Sequence, residues 1–304
     1  MAALDTSQGA AELAAELAKL LVSPLRTHEG SQVEQFHPEL RAGDVVVGDR
    51  AWASYVHLAL LSGRKLHGVF RAHQRQLVSF RKDRKLTGQQ PRGTAALYAN
   101  SRLIRKLGKY DQLVEYSKPT TRPKWMSAEE FAALPNTLVV RELRFRTKTK
   151  GCRTRAITLV TTLLDPEQYP AEEIIALFRT RWEVETCFAH LKTTMHMDVL
   201  RCQSVEGVLK ELHVFALVYN LVRLVMLSAA RAQHVPLGRV SFVGALRWLA
   251  SPASHEVPLV LPINPARPNR YEPRVVKRRP KPYPLLRVPR RQLRQQLAAQ
   301  QVAA

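Results

Sequence analysis

Phe178 to Lys192 reads FRTRWEVETCFAHLK, and this stretch decides how the chain is interpreted. On a helix that advances about 100° per residue, Phe178, Arg181, Glu185 and Lys192 share roughly 60° of arc, and Glu183 points almost the opposite way. One face then carries a carboxylate between two cations. Two-metal phosphoryl transfer needs this arrangement: the carboxylate shares a divalent cation while Arg and Lys hold phosphate oxygens. An amphipathic surface helix with an Arg181–Glu185 ion pair would show the same residues.

The spacing Phe-x2-Arg-x3-Glu-x6-Lys resembles the Tyr-Arg-Glu-Lys element of the insertion-sequence-four type DDE transposases, with Phe178 in place of Tyr. The embedded R-W-x-V-E and the following L-K-T-T-M fit the same pattern, and the resemblance runs from about Arg26 to Arg294. It implies an α/β, RNase H-like (retroviral-integrase-type) catalytic core that binds two Mg²⁺ ions, Mn²⁺ being an alternative, through two Asp and one Glu. Such proteins cut and rejoin DNA. Their partners are double-stranded DNA at transposon ends and target, and a second copy of the chain in a synaptic complex.

Upstream, D-V-V-V-G-D (Asp44 to Asp49) reads as a buried strand, followed by a helix from Ala51 to Leu61. Open α/β sheets present carboxylates at the carboxyl ends of strands, which makes Asp49 the candidate second catalytic Asp. An Asp there could instead cap the following helix. G-D-R-A-W and L-R-T-H-E also resemble family segments. Carried over, Asp49 and Glu185 are the catalytic, metal-binding residues, and Phe178, Arg181 and Lys192 contact DNA.

Short strands are expected over Leu66 to His73, Leu77 to Phe80, Gln112 to Tyr116, Val139 to Phe145 and Ala156 to Leu164. One long helix is expected from Ala171 to His196. A buried core helix is expected over about Val208 to Ala230, with Tyr219, Asn220 and Arg223 satisfied by core hydrogen bonds; its polar interruptions argue against a membrane span. This gives four parts: a partial core at 1–80, a β-rich insertion at 81–150, the second part of the core at 151–251, and a Pro/Arg-rich basic tail at 252–304.

Lys and Arg outnumber Asp and Glu by 47 to 25, a net +22 in 304 residues, so a polyanionic partner is the natural expectation. Ribosomal or membrane-surface proteins can carry a similar excess. Between Arg267 and Arg294, eleven cations face the single acid Glu272, and the prolines predict an extended basic arm. Cys152, Cys187 and Cys202 show neither metal-ligand nor disulfide spacing, and no signal peptide is evident. A cytoplasmic, nucleoid-associated location without membrane attachment follows.

The family's first Asp has no convincing match. Asp5 is the remaining candidate, without a buried strand before it. The chain therefore reads as a transposase core incomplete at its N-terminus, and the alternative is an inactive DNA-binding remnant or inhibitor.

Overall fold

The computed structural model describes residues 2–4, 17, 27, 29–87, 97–146, 156–251, 259–265 and 288–302. The chain divides into two compact units, one of residues 1–148 with 152–268 and one of 149–151 with 269–304. In the first, the strands are β1 (Ala2–Leu4), β2 (Val45–Gly48), β3 (His67–Arg71), β4 (Lys85–Leu86), β5 (Tyr98–Ala99), β6 (Arg102–Gly108), β7 (Asp111–Ser117), β8 (Thr137–Arg146) and β9 (Ala156–Thr161). Its helices are α1 (Tyr55–Gly63), α2 (Ala128–Ala133), α3 (Ala171–Thr180), α4 (Trp182–Ala189), α5 (Val205–Ala232) and α6 (Phe242–Ala250). In the second unit, α7 (Arg290–Val302) is the described element.

Seven strands form one sheet in the order β1-β2-β3-β9-β8-β7-β6, and β4 pairs with β5 in a separate ribbon. Only β2 and β3 run parallel within the large sheet. The Val45-Val46-Val47 run is buried on both faces, as expected for a strand covered by helices on either side. Alternation divides it: Val46 joins Leu58, Leu61 and Phe70 on the α1 face, while Val45, Val47 and Val69 pack with Ile174 and Phe178 on the α3 face. Gly48 is required by close approach, because a Cβ there would lie 3.0 Å from the Phe70 ring.

Several expectations change. Leu77 to Phe80 is not a strand. The helix after Asp49 begins only at Tyr55, capped by Ser54, whose hydroxyl accepts from His57 N at 3.1 Å; a 3₁₀ turn, Arg50–Trp52, comes first. The strands expected in a separate insertion do not stand apart, since β6, β7 and β8 extend the sheet that holds β2 and β3. The reason is β9, which returns antiparallel to β3 and offers its other edge to β8.

Two buried polar networks hold that extension. Arg141 on β8, 1% exposed, forms a two-pronged ion pair with Asp111 (2.9 and 2.6 Å), and its remaining nitrogen donates to the Tyr169 carbonyl at 2.7 Å. Glu142, fully buried, accepts from Gln112, Tyr116 and Ser101 on the other face. Burial raises its pKa, and these hydrogen bonds oppose the shift.

The expected helix from Ala171 to His196 is interrupted twice. Around Arg181 the backbone tightens, with bonds from Arg181 N to Phe178 O and from Val184 N to Arg181 O. His190–Thr194 then forms a π turn. α5 is long and apolar enough by composition to cross a membrane. Tyr219, Val222, Met226, Ala229 and Ala230 instead bury one side of it against Leu191, Phe242 and Ala245. The expected fully buried helix is therefore buried along one face only: Val214, Leu217, Leu221 and Leu224 are exposed. Asn220 is satisfied as predicted, exchanging two hydrogen bonds with the Leu17 backbone (2.9 and 3.1 Å).

Most of the basic arm lies outside the described residues, as do Cys152 and Asp5. Its last cations, Arg290, Arg291 and Arg294, are helical in α7 rather than extended. Pro289 directly precedes that helix, where proline is tolerated and where its ring stops contributing breaks.

Candidate active site

Asp49 follows β2 directly, and its extended backbone (φ −82°, ψ −178°) continues the strand's alternation. Its side chain therefore falls on the Val47 face, the face that α3 covers. The carboxylate is exposed. One oxygen accepts from Arg50 N at 2.8 Å, so the residue does cap the 3₁₀ turn; the other oxygen takes no hydrogen bond from a described residue. Capping and ligation are thus compatible at one carboxylate.

The turn that carries Asp49 is fixed from behind. Trp52 N donates to the Asp49 carbonyl at 3.1 Å, and His57 Nδ1 lies 2.9 Å from the Trp52 carbonyl, which makes that nitrogen the donor. His57 Nε2 must then accept from His37 Nε2, 3.2 Å away. The two rings stack with 6° between their planes.

Arg71 is the residue that sequence reasoning missed. β2 and β3 pair in register Val47 with Val69 and Gly48 with Phe70, so the next step along both strands sets Asp49 beside Arg71. Burial, then repulsion from Arg50 and Arg181, lowers the Arg71 pKa, and the Asp49 charge opposes the shift. Arg71 therefore feels the charges of Asp49, Arg50 and Arg181 electrostatically. Arg181 in turn holds Glu185, its guanidinium donating to a carboxylate oxygen at 3.0 Å. Glu185 therefore connects to Asp49 through Arg181 and Arg71.

The other two residues of the helical arc behave differently. Phe178 was expected to lie against DNA; it is 6% exposed and packed with Val45, Val47 and Val69. The Arg181 guanidinium lies over its ring, 5.8 Å from the centroid. Phe178 thus offers little surface to a ligand and is held mainly by core packing. Lys192 is exposed but sits in the π turn, its ammonium 5.4 Å from the Phe188 ring. A π turn advances each residue by less than the α-helical 100°, so the arc that aligned Lys192 with Glu185 does not extend past His190.

Two exposed carboxylates among three guanidinium groups can do two things. The cations can hold phosphodiester oxygens, Arg by paired N–H donors. The carboxylates supply hard oxygen donors suited to Mg²⁺, which is usually held by one or two carboxylates and keeps several waters. Among the described residues, no group of three or more His, Cys, Asp or Glu side chains gathers at a metal-binding spacing. Asp49 and Glu185, two carboxylates without a third beside them among the described residues, would suit at most one such ion. The edge strand β1 pairs antiparallel with β2, Leu4 beside Val45 and Ala2 beside Val47, so the chain leaves β1 at the end away from Asp49.

Over 130 residues the chain is 36% identical to the transposase InsG of insertion sequence element IS4 from Escherichia coli K12, an overlap of 42% of this chain and 27% of that protein. Over 48 residues it is 38% identical to the transposase of insertion sequence element IS421 from Escherichia coli, covering 16% of this chain and 13% of the relative. The chain thus aligns with about a quarter or less of the length of these relatives. The model of the transposase DDE domain matches residues 7–221, well over half the sequence, and by that match the chain belongs to the DDE transposase family.

Proposed function

We propose that the chain acts on DNA as the catalytic core of an insertion-sequence transposase, with the sheet and its flanking helices forming an RNase H-like core. The observation that carries this reading is the parallel register that sets Asp49 beside Arg71, together with the coupling of Arg71 to Arg181 and hence to Glu185. Asp49 and Glu185 would hold Mg²⁺ or Mn²⁺. When bound, the metal supplies a Lewis acid to the phosphodiester oxygens.

The protein's own groups do the rest. Arg71 and Arg181 grip the DNA backbone on either side of the carboxylates, and Lys192 adds a more distant phosphate contact. Phe178 fixes the height of the helix over β2. The basic segment at 252–304 contributes salt-dependent, sequence-independent affinity, and a second copy would complete a synaptic complex. Action on the bacterial nucleoid places the protein in the cytoplasm.

A second reading, binding without cleavage, is favoured by the absence of a third ligand beside Asp49 and Glu185 among the described residues. A Mn²⁺ titration followed by electron paramagnetic resonance, with duplex DNA present, tests the shared site. Asp49→Asn and Glu185→Gln should each weaken Mn²⁺ binding about tenfold or more, the loss of one charged ligand. Mn²⁺ affinity unchanged from that of the unsubstituted chain in both variants removes the assignment. Metal-dependent nicking lost in both variants supports the transposase reading, and intact DNA binding without nicking supports the second.

Arg71→Gln should weaken duplex binding uniformly across sequences and reduce the slope of log K against log salt by about one. Removing residues 252–304 should flatten that slope by several units. Filter binding at a series of salt concentrations reads both, and unchanged slopes would refute the assigned contacts.

A further inference from the structure

On the side of α4 away from Glu185, a cleft of about 1060 Å³ opens between α4 with its π turn, α5, and the loop from His234 to Val240. Two polar groups in its wall lack partners. Arg223 Nε and His190 Nδ1 are buried and form no hydrogen bond with a described residue. This departs from the sequence expectation: Asn220 is satisfied within the core, whereas Arg223, three residues on, is not. Buried unpartnered donors call for a ligand or ordered solvent. Independently, the π turn begins at His190, and such turns are frequent at functional sites because they re-aim the side chains they carry.

The lining specifies the ligand. Arg223 and Arg231 face one acid, Glu183, so the cleft favours an anion. Burial, then the Arg223 charge, lowers the His190 pKa and favours the neutral ring, which can offer one N–H to a ligand. His190 also stacks on Phe242, centroids 4.0 Å apart at 7° between planes, which fixes its orientation. The remaining wall includes Met226 and Leu237, and the volume exceeds what an inorganic ion requires. A flat apolar body joined to a phosphate fits both halves.

We propose that this cleft binds a nucleoside monophosphate unit, its phosphate on Arg223 and Arg231 and its base against the apolar wall. The unit is either a free nucleotide or the terminal nucleotide of a DNA strand. Glu183 points almost opposite to Glu185 on the helix, so the cleft is separate from the Asp49 site.

Isothermal titration of the full chain with 2′-deoxyadenosine 5′-monophosphate, in about 0.3 M salt to screen surface binding, tests this. The nucleotide should bind at least about tenfold tighter than inorganic phosphate or deoxyadenosine alone, and Arg223→Gln should weaken it about tenfold or more. Should Arg223→Gln fail to fold, Arg231→Gln, at an exposed position, should still weaken binding several-fold. Asp49→Asn should leave nucleotide affinity unchanged, so failure here is distinguishable from failure of the metal site. Competition by a 5′-phosphorylated single-stranded oligonucleotide assigns the cleft to a strand end, and its absence assigns it to a free nucleotide. Nucleotide binding no tighter than inorganic phosphate, or unaffected by either Arg substitution, overturns the proposal.

Discussion

Asp111→Ala is expected to lower stability by about 3–5 kcal/mol, because it strands the Arg141 guanidinium in a site only 1% exposed. The guanidinium itself has almost no exposed surface through which water could replace the lost carboxylate. Its hydrogen bond to the Tyr169 carbonyl satisfies one nitrogen but supplies no counter-charge. The loss is a large fraction of the total stability of an ordinary domain, about 5–15 kcal/mol. Tyr169 directly precedes Pro170, which caps α3, so the same substitution should loosen the start of the helix pair that carries Glu185. Urea unfolding measures the first effect and hydrogen exchange along α3 the second. Replacing both partners, Asp111→Leu with Arg141→Met, should recover much of the loss, since an apolar pair leaves no unpaired charge. A cost below about 1 kcal/mol for Asp111→Ala would mean that the ion pair contributes nothing to the fold.

Acidification should be comparably damaging, through the stacked pair His37 and His57, which are 2% and 1% exposed. Burial pulls both pKa values from 6.5 to about 4; repulsion from its neighbour and from Arg64 adds to the shift of His37, and the bond to the Trp52 carbonyl opposes that of His57. The folded pKa lies below the unfolded one, so between pH 6.5 and 4 the unfolded chain binds protons that the native state refuses. Stability contributed by the neutral pair is therefore complete above pH 6.5 and falls as pH drops toward 4. At 1.36 kcal/mol per pKa unit, each ring accounts for about 3 kcal/mol across that window. Because His57 anchors Trp52, which bonds back to Asp49, the turn that carries Asp49 should loosen along with the fold. Comparing urea unfolding at pH 7 and pH 4.5 with that of a His37→Gln, His57→Gln double variant isolates the pair. If both proteins lose equal stability, carboxylate protonation explains the acid response and the histidines do not.

The elements read correctly from sequence are those whose signal is local. Three valines between turn residues specify a strand buried on both faces, and an Asp at its carboxyl end follows from chain direction. The helix bearing Arg181 and Glu185 was legible because an i, i+4 pair is a property of one helix. The uniform 100° step behind its arc holds only as far as Ala189, because the backbone widens into a π turn at His190. Phe178 was misread for a different reason: spacing gives the direction of a side chain and not what covers it, and β2 covers Phe178.

Sequence alone determined the strong positive charge, the β2 strand with its terminal Asp49, the amphipathic character of the Glu185 helix and the resemblance to a transposase. Tertiary structure decided which strands share a sheet, which cation neighbours Asp49 and which buried donors are left without partners. Arg71 is 22 residues from Asp49, and only the register of a parallel pair brings them together. His37 meets His57 through folding of the intervening strand and turn, and Arg141 finds Asp111 across a sheet. Such contacts depend on non-local pairing, whose energy comes from burial shared among distant segments, and no window of sequence contains it.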